Sequence, residues 1–104
     1  MKKGNQMSLK IRLYKDYITF GDDKKNFVIS SRQVPRLEAF LWNYHDDNMN
    51  HNVISVDNNY LCMTETTLNI NNHFDIVLDH DMVHKMIKGL CDYMEFGIMK
   101  TIEL

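Results

Sequence analysis

Two histidines spaced four residues apart are the residues of this chain best placed to do chemistry. His80 and His84 would lie on one face of a helix, where positions i and i+4 are neighbours. Such a pair holds a zinc ion when a third ligand and a general base accompany it. An aspartate, Asp81, stands where a longer glutamate would act as the base. His80 and His84 are therefore a candidate metal pair, for which a third ligand would have to come from Asp92, Glu95 or His73.

The same residues also fit a structural role. Asp79 and Asp81 precede an apolar helical pattern, and carboxylates at a helix N-terminus accept its free N–H groups. His80 and His84 would then be exposed neighbours of the cap. The sequence contains no Gly-rich phosphate loop and no Ser-nucleophile motif. We therefore predict a non-enzymatic protein without metal or cofactor, and a metal hydrolase at His80 and His84 is the catalytic alternative.

A second group of side chains combines positive charge with aromatic rings. Residues 9–20 alternate between apolar and polar, which places Lys10, Arg12, Tyr17 and Thr19 on the outer face of a sheet. Such a face can bind single-stranded nucleic acid, because the charges contact phosphates and the rings stack on bases. The simpler interpretation is a solvated face with β-favouring tyrosines, and a sequence pI of about 6.2 supports it. Nucleic-acid binding is the alternative function, and its residues would be Lys10, Arg12, Tyr14, Lys15, Tyr17, Lys24 and Lys25.

Carboxylates, Glu65 among them, are spread through the second half of the chain. An acidic surface on a small domain can occupy a basic groove of another protein and compete there with nucleic acid. The simpler interpretation is that these residues only keep the protein soluble. The predicted protein-binding residues are Asp46, Asp47, Asp57, Asp75, Asp79, Asp81, Asp92 and Glu95.

The net charge of −2 conceals an asymmetry along the chain. Residues 1–45 hold nine Lys/Arg against four Asp/Glu, whereas residues 46–104 hold three against ten. A folded protein with this distribution has two oppositely charged parts. Such a surface suits a protein partner with its own charge patches, or a homo-oligomer that joins opposite faces.

The elements that position these residues follow from a pattern that occurs twice. Residues 11–20 and 54–63 share one order of apolar and polar residues, and each is followed by an apolar run and then a helical pattern. We predict an α+β fold with an antiparallel sheet of about six strands, two helices on one face and a pseudo-repeat βββα-βββα. The chain would be a single domain, 1–104, with a loose leader at 1–7 and repeats at about 8–46 and 52–97.

The remaining features concern location and function. No secretory signal is visible, no run reaches the roughly 20 apolar residues of a membrane span, and the two cysteines form no Cys-x-x-Cys pair. We therefore expect a cytoplasmic protein. Its Asn- and Lys-rich composition is typical of phages and mobile elements. We predict a small binding protein that occupies a surface of a protein partner and, in the more specific form of this prediction, an anti-CRISPR-like inhibitor of a host nucleic-acid enzyme or defence nuclease.

Overall fold

The computed structural model describes residues 9–48, 50 and 52–104. The predicted leader, residues 1–7, lies outside the described residues. A short 3-10 helix, Ser31–Gln33, precedes the first of two α-helices. The α-helices are α1 (Val34–His45) and α2 (His80–Phe96), and the strands are β1 (Lys10–Leu13), β2 (Tyr17–Gly21), β3 (Asn26–Ser30), β4 (Val53–Val56), β5 (Asn59–Met63), β6 (Thr67–Ile70), β7 (Phe74–Val77) and β8 (Thr101–Glu103).

The strands form two antiparallel sheets of four strands each. The first sheet has the order β3-β2-β1-β8, and the second has the order β4-β5-β6-β7. The predicted α+β class is confirmed, but the single sheet of about six strands with both helices on one face is wrong. One reason is a turn at residues 64–66, closed by a hydrogen bond from Thr64 N to Thr67 O of 2.8 Å. The sequence predicts one strand over Tyr60–Thr66, which Thr67–Ile70 would prolong, and this turn divides it into β5 and β6.

The two sheets have the same topology. In each, three consecutive strands form a meander that leads into a helix, giving β1-β2-β3-α1 and β5-β6-β7-α2. The strand after each helix joins the other sheet: β4 pairs with β5, and β8 pairs with β1. Each unit therefore has the order βββαβ, and its last strand pairs with the sheet of the other unit. The predicted match of residues 11–20 with 54–63 is displaced by one strand, because it aligns one hairpin, β1-β2, with another, β4-β5.

Hydrogen bonds fix the correct correspondence between the units. The bond from Tyr14 N to Tyr17 O, at 2.9 Å, closes the β1-β2 turn as Thr64 N to Thr67 O closes the β5-β6 turn. Leu13 N bonds to Lys100 O at 3.3 Å, as Met63 N bonds to Asn52 O at 2.8 Å. In this register Lys15 corresponds to Glu65. Residues of opposite charge therefore occupy matching turns.

The two helices run antiparallel and in contact. The ring of Tyr44 lies 5.3 Å from that of His80, and Glu38 accepts a hydrogen bond from Cys91 Sγ at 3.4 Å. Asp79 caps α2, and Gly97 ends it with φ of 67°. Within the described ranges, neither helix is long and apolar enough to span a membrane. The helical spacing of apolar residues predicts buried faces at Val34, Leu37, Leu41 and Tyr44 of α1 and at Val83, Met86, Ile87, Leu90 and Met94 of α2. All of these residues are buried except Met94, which lies in the last turn of α2 and is 37% exposed.

The sheets meet where the β4-β5 turn reaches the edge of β3. Asp57 and Asn58 adopt positive φ values of 49° and 70°, as the predicted Asp-Asn-Asn turn requires. The Asp57 carboxylate accepts the Ser30 N–H at 2.6 Å, and the Asn59 amide donates to Val28 O at 2.7 Å. These side chains satisfy backbone groups that an exposed edge strand would present to other chains.

Candidate functional site

Three chain segments meet at one end of the helix pair, and we call residues 44–48, 64–66 and 78–81 the acidic end. The hydroxyl of Tyr44 donates to Glu65 O at 3.2 Å, which ties α1 to the β5-β6 turn. Leu78 N donates to Thr66 O at 2.8 Å, which ties the same turn to the start of α2. The sequence places these segments far apart, and the fold holds them together.

The acidic end carries five carboxylates and no lysine or arginine. Asp79 has a structural task, since its Oδ1 accepts the Met82 N–H at 2.7 Å. Asp46 lies 3.5 Å from Nδ1 of His45. In the described part of the chain, no salt bridge reaches the other three carboxylates. The end therefore presents a concentrated negative charge to solvent, carried by Asp46, Asp47, Glu65, Asp79 and Asp81.

A hollow of about 360 Å³ opens at this end. Its lining consists of Tyr44, Asp47, Glu65 and His80. His80 is exposed, and its ring lies 6.2 Å from that of His45. Polar and charged groups thus line a concave surface, which suits a cationic side chain of a partner.

The candidate metal pair gains no third ligand from the fold. Among the described residues, no three His, Cys, Asp or Glu side chains are close enough to hold a metal ion together. His73, which the sequence offered as a ligand, packs instead against Phe27 with ring centroids 5.7 Å apart. The pair at His80 and His84 therefore remains two ligands at the start of α2.

The other predicted acidic residues lie away from the acidic end. Hydrogen bonds from Ser30 lower the pKa of Asp57, which holds the edge of β3. Asp75 accepts from the Asn69 amide at 2.9 Å on the outer face of the second sheet. Asp92 lies 3.3 Å from Lys88 Nζ along α2, and Glu95 is exposed one turn further on. The fold thus brings half of the predicted protein-binding residues together and separates the rest.

The predicted basic and aromatic residues lie on and around the outer face of the first sheet. The rings of Tyr14 and Tyr17 stack with centroids 4.8 Å apart, and both are partly exposed. Arg12 reaches across the sheet toward the β2-β3 loop, where its Nη2 lies 3.6 Å from Asp23 Oδ1. Ile18 and Phe20 point inward, as predicted. Lys10 lies on β1, Lys15 in the β1-β2 turn, and Lys24 and Lys25 in the β2-β3 loop.

The opposite end of the helix pair differs in charge. There the hollow has a volume of about 390 Å³ and is lined by Lys15, Tyr93, Met94 and Met99, among others. Lys15 takes the place that Glu65 has at the acidic end. The two ends of the helix pair therefore have matching turns, but one end is acidic and the other carries Lys15 and apolar side chains.

Cys91 is a weak candidate for a reactive thiol. Burial is the largest cause that raises the pKa of Cys91. The hydrogen bond to Glu38 and the negative charge of Glu38 raise this pKa further. The thiol is therefore protonated at neutral pH and is a poor nucleophile.

Sequence reasoning missed two features of these surfaces. Glu65 is absent from the predicted protein-binding set, because nothing in the sequence indicates that the fold places it beside Tyr44 and His80. Asn26, which lies 3.5 Å from Arg12 Nη1, was outside the predicted basic face. The polar run Thr64-Glu65-Thr66 between two apolar alternating segments was the available signal for the turn. Comparisons of the chain with protein-family models, with curated proteins and with solved structures found no match.

Proposed function

We propose that this protein is a non-enzymatic binding protein whose acidic end occupies a basic surface on a protein partner. The observation that carries the proposal is the convergence of five carboxylates from three segments, without a lysine or arginine among them. Complementary charge accelerates association and selects among partners. Surface occupation requires no catalytic group.

The fold supports this role by holding the charges in place before the partner arrives. The Tyr44–Glu65 and Leu78–Thr66 hydrogen bonds fix the β5-β6 turn against both helices. Asp79 caps α2 and so fixes the helix start that carries Asp81. A surface that is already ordered loses less conformational entropy on binding than a flexible tail.

The class of partner follows from the charge. Enzymes that act on nucleic acid expose extended basic grooves, because they neutralise phosphates with lysine and arginine. A rigid acidic surface competes with nucleic acid for such a groove. We therefore propose a nucleic-acid enzyme or defence nuclease as the partner, inhibited by occlusion of its groove.

The test uses a variant that removes three of the five negative charges of the acidic end with little change of shape, Asp46→Asn/Glu65→Gln/Asp81→Asn. Wild-type protein is titrated over mixtures of purified nucleases and labelled DNA, and DNA binding and cleavage are measured. We expect the wild type to reduce both for a nuclease with a basic groove and the variant to lose this effect. If the wild type alters neither quantity for any nuclease in the set, the proposed function is wrong.

A matched control separates the acidic end from net charge. The variant Asp75→Asn/Asp92→Asn/Glu95→Gln removes the same number of negative charges from other parts of the surface. We expect this control to inhibit like the wild type. Equal loss of inhibition in both variants would assign the effect to net charge and contradict the role of the acidic end.

A further inference from the structure

The buried hydroxyl of Thr19 has no hydrogen-bond partner among residues 9–48, 50 and 52–104. The residue lies in the middle of the outer face of the first sheet, between Arg12 on β1 and Val28 on β3. Its side chain is only 8% exposed, and its Oγ1 contacts neither a donor nor an acceptor. Buried polar groups are nearly always paired, so an unpaired one at a surface indicates a site where a partner is missing.

The fold does not require the central polar residue of a sheet to lack a hydrogen-bond partner, as the matching position in the second sheet shows. Asn69 occupies the place of Thr19 in β6, since both lie at the centre of a meander. The Asn69 amide donates to Asp75 Oδ1 at 2.9 Å, and its carbonyl oxygen accepts from Asn72 N at 3.0 Å. The central polar residue is thus satisfied in one sheet and unsatisfied in the other.

Thr19 lines a hollow of about 340 Å³, which we call the first-sheet hollow. This volume is within the range of small-molecule sites. One wall is the stacked pair of Tyr14 and Tyr17, each 40% exposed. The hollow is lined by Arg12, Tyr14, Tyr17, Thr19, Asp22, Asp23 and Asn26.

The guanidinium of Arg12 is only loosely held over this hollow. Its contacts with Asn26 Oδ1 and Asp23 Oδ1 are long, at 3.5 and 3.6 Å, and the Asp23 side chain is 82% exposed. Exposed pairs of this kind contribute little, so Arg12 can exchange them for a phosphate, which it binds with two parallel hydrogen bonds. Asp22 is different, because it accepts the N–H groups of Lys24 and Lys25, each at 2.8 Å, and holds the loop.

We infer that the first-sheet hollow binds a nucleotide, either free or within a single strand. Arg12 contacts the phosphate, the exposed tyrosine pair stacks on the base, and the Thr19 hydroxyl and Asn26 amide form hydrogen bonds with the base or sugar. This site goes beyond the proposed function, because it uses the outer face of the first sheet and not the acidic end. In a strand, flanking phosphates would also meet Lys10, Lys15, Lys24 and Lys25, which lie on and around this face.

The test measures two probes at low salt: adenosine monophosphate by chemical-shift changes in labelled protein, and a short labelled oligothymidylate by fluorescence anisotropy. Binding of both supports the inference. Binding of the oligonucleotide alone identifies a strand as the source of the nucleotide, and binding of the monophosphate alone identifies the free nucleotide. Absence of binding for both probes overturns the inference.

Three variants locate the bound nucleotide. Arg12→Gln and Tyr14→Ala/Tyr17→Ala should each weaken binding by about tenfold. Thr19→Val keeps the shape of the side chain and removes the hydroxyl. It should weaken binding while the thermal midpoint stays the same or rises, since an unpaired buried group is removed. Unchanged binding in Thr19→Val would contradict the part assigned to the hydroxyl.

The control variant is Tyr60→Ala, which removes a tyrosine that is 47% exposed on the outer face of the second sheet. We expect it to bind both probes as the wild type does. Equal weakening in Tyr60→Ala and in the Tyr14/Tyr17 variant would overturn the site. The acidic-end variant should also bind both probes at least as well as the wild type, which keeps this test separate from that of the proposed function.

Discussion

Tyr44 of α1 and Tyr93 of α2 make the same contact from opposite helices. Tyr44 donates its hydroxyl to Glu65 O at 3.2 Å in the β5-β6 turn, and Tyr93 donates to Tyr14 O at 2.5 Å in the β1-β2 turn. Each helix is therefore hydrogen-bonded to a turn in the sheet of the other topological unit. Separation of the two units would break both bonds.

These bonds lead to a prediction about stability. Tyr44→Phe and Tyr93→Phe should each lower the free energy of unfolding by about 1 kcal/mol, the usual net value of one intramolecular hydrogen bond. Urea unfolding followed by circular dichroism measures the effect. The control is Tyr60→Phe, which removes a hydroxyl from an exposed ring. A loss in Tyr60→Phe as large as in the other two would show that the cross-unit bonds are not responsible.

Tyr93 should also make the stability of the protein fall at alkaline pH. Burial, and secondarily the negative charge of Asp16, raises the pKa of Tyr93 above its ordinary value of 10.0. A raised pKa means that the native state favours the protonated phenol, whose contribution is complete below pH of about 10 and is lost as the pH rises through the folded pKa. The wild type should therefore lose more stability above pH 10 than Tyr93→Phe does. Parallel urea midpoints for the two proteins across this range would contradict the prediction.

Asp57 should make the stability of the protein fall in acid. Hydrogen bonds from Ser30 hold the pKa of Asp57 below its ordinary value of 3.8, so its contribution is present above that pH and is lost as the pH falls through the folded pKa. Asp57→Asn keeps an oxygen to accept the Ser30 N–H but loses the charge. We expect its thermal midpoint to lie below that of the wild type at neutral pH and to converge with it as the pH falls below 3.8 and through the folded pKa. A constant difference at all pH values would rule out this role for the carboxylate.

Substitution of Gly21, at the end of β2, should strongly destabilise the protein. A Cβ added there would lie 2.0 Å from Lys25 O and 2.7 Å from the Asn26 Cα, and both are backbone atoms that cannot move aside without opening the loop. Gly21→Ala should lower the free energy of unfolding by about 2–3 kcal/mol. Gly97→Ala is the comparison, since a Cβ there meets nothing and only the φ of 67° opposes it, at a cost of about 1 kcal/mol. A smaller effect at Gly21 than at Gly97 in urea unfolding would contradict the steric argument.

Local signals in the sequence predicted the parts of this fold that depend on neighbouring residues. The alternation from Leu9 to Leu13 and the Asp57-Asn58 turn were both readable, because strand faces and positive φ values are local properties. The turn at Thr64–Thr66 was missed, since threonine favours strands and no glycine, proline or asparagine interrupts the run. It is held locally by Thr64 Oγ1, which accepts the N–H groups of Thr66 at 3.2 Å and Thr67 at 3.0 Å, and by the tertiary contact of the Tyr44 hydroxyl.

The pairing of distant strands had no local signal at all. The weak alternation of residues 98–104 predicts a short edge strand, which is confirmed as β8, but nothing in these residues indicates that Glu103 pairs with Lys10 of β1. β8 and the separate strand β6 raise the number of strands from the predicted six to eight among the described residues. The acidic end depends on the contacts of the β5-β6 turn with α1 and with the start of α2, which is why its carboxylates look dispersed along the sequence.

The clustering of charge at the acidic end can be tested without a partner. The acidic-end variant, Asp46→Asn/Glu65→Gln/Asp81→Asn, and the control variant described above remove equal charge. A protein binds an ion-exchange surface through its most strongly charged patch, because the local potential and not the net charge sets the attraction. We therefore expect the acidic-end variant to elute from an anion exchanger at lower salt than the control variant, and the control to elute close to the wild type. If the two variants elute together, with matching circular dichroism spectra, the carboxylates do not act as one patch and the proposed binding surface loses its basis.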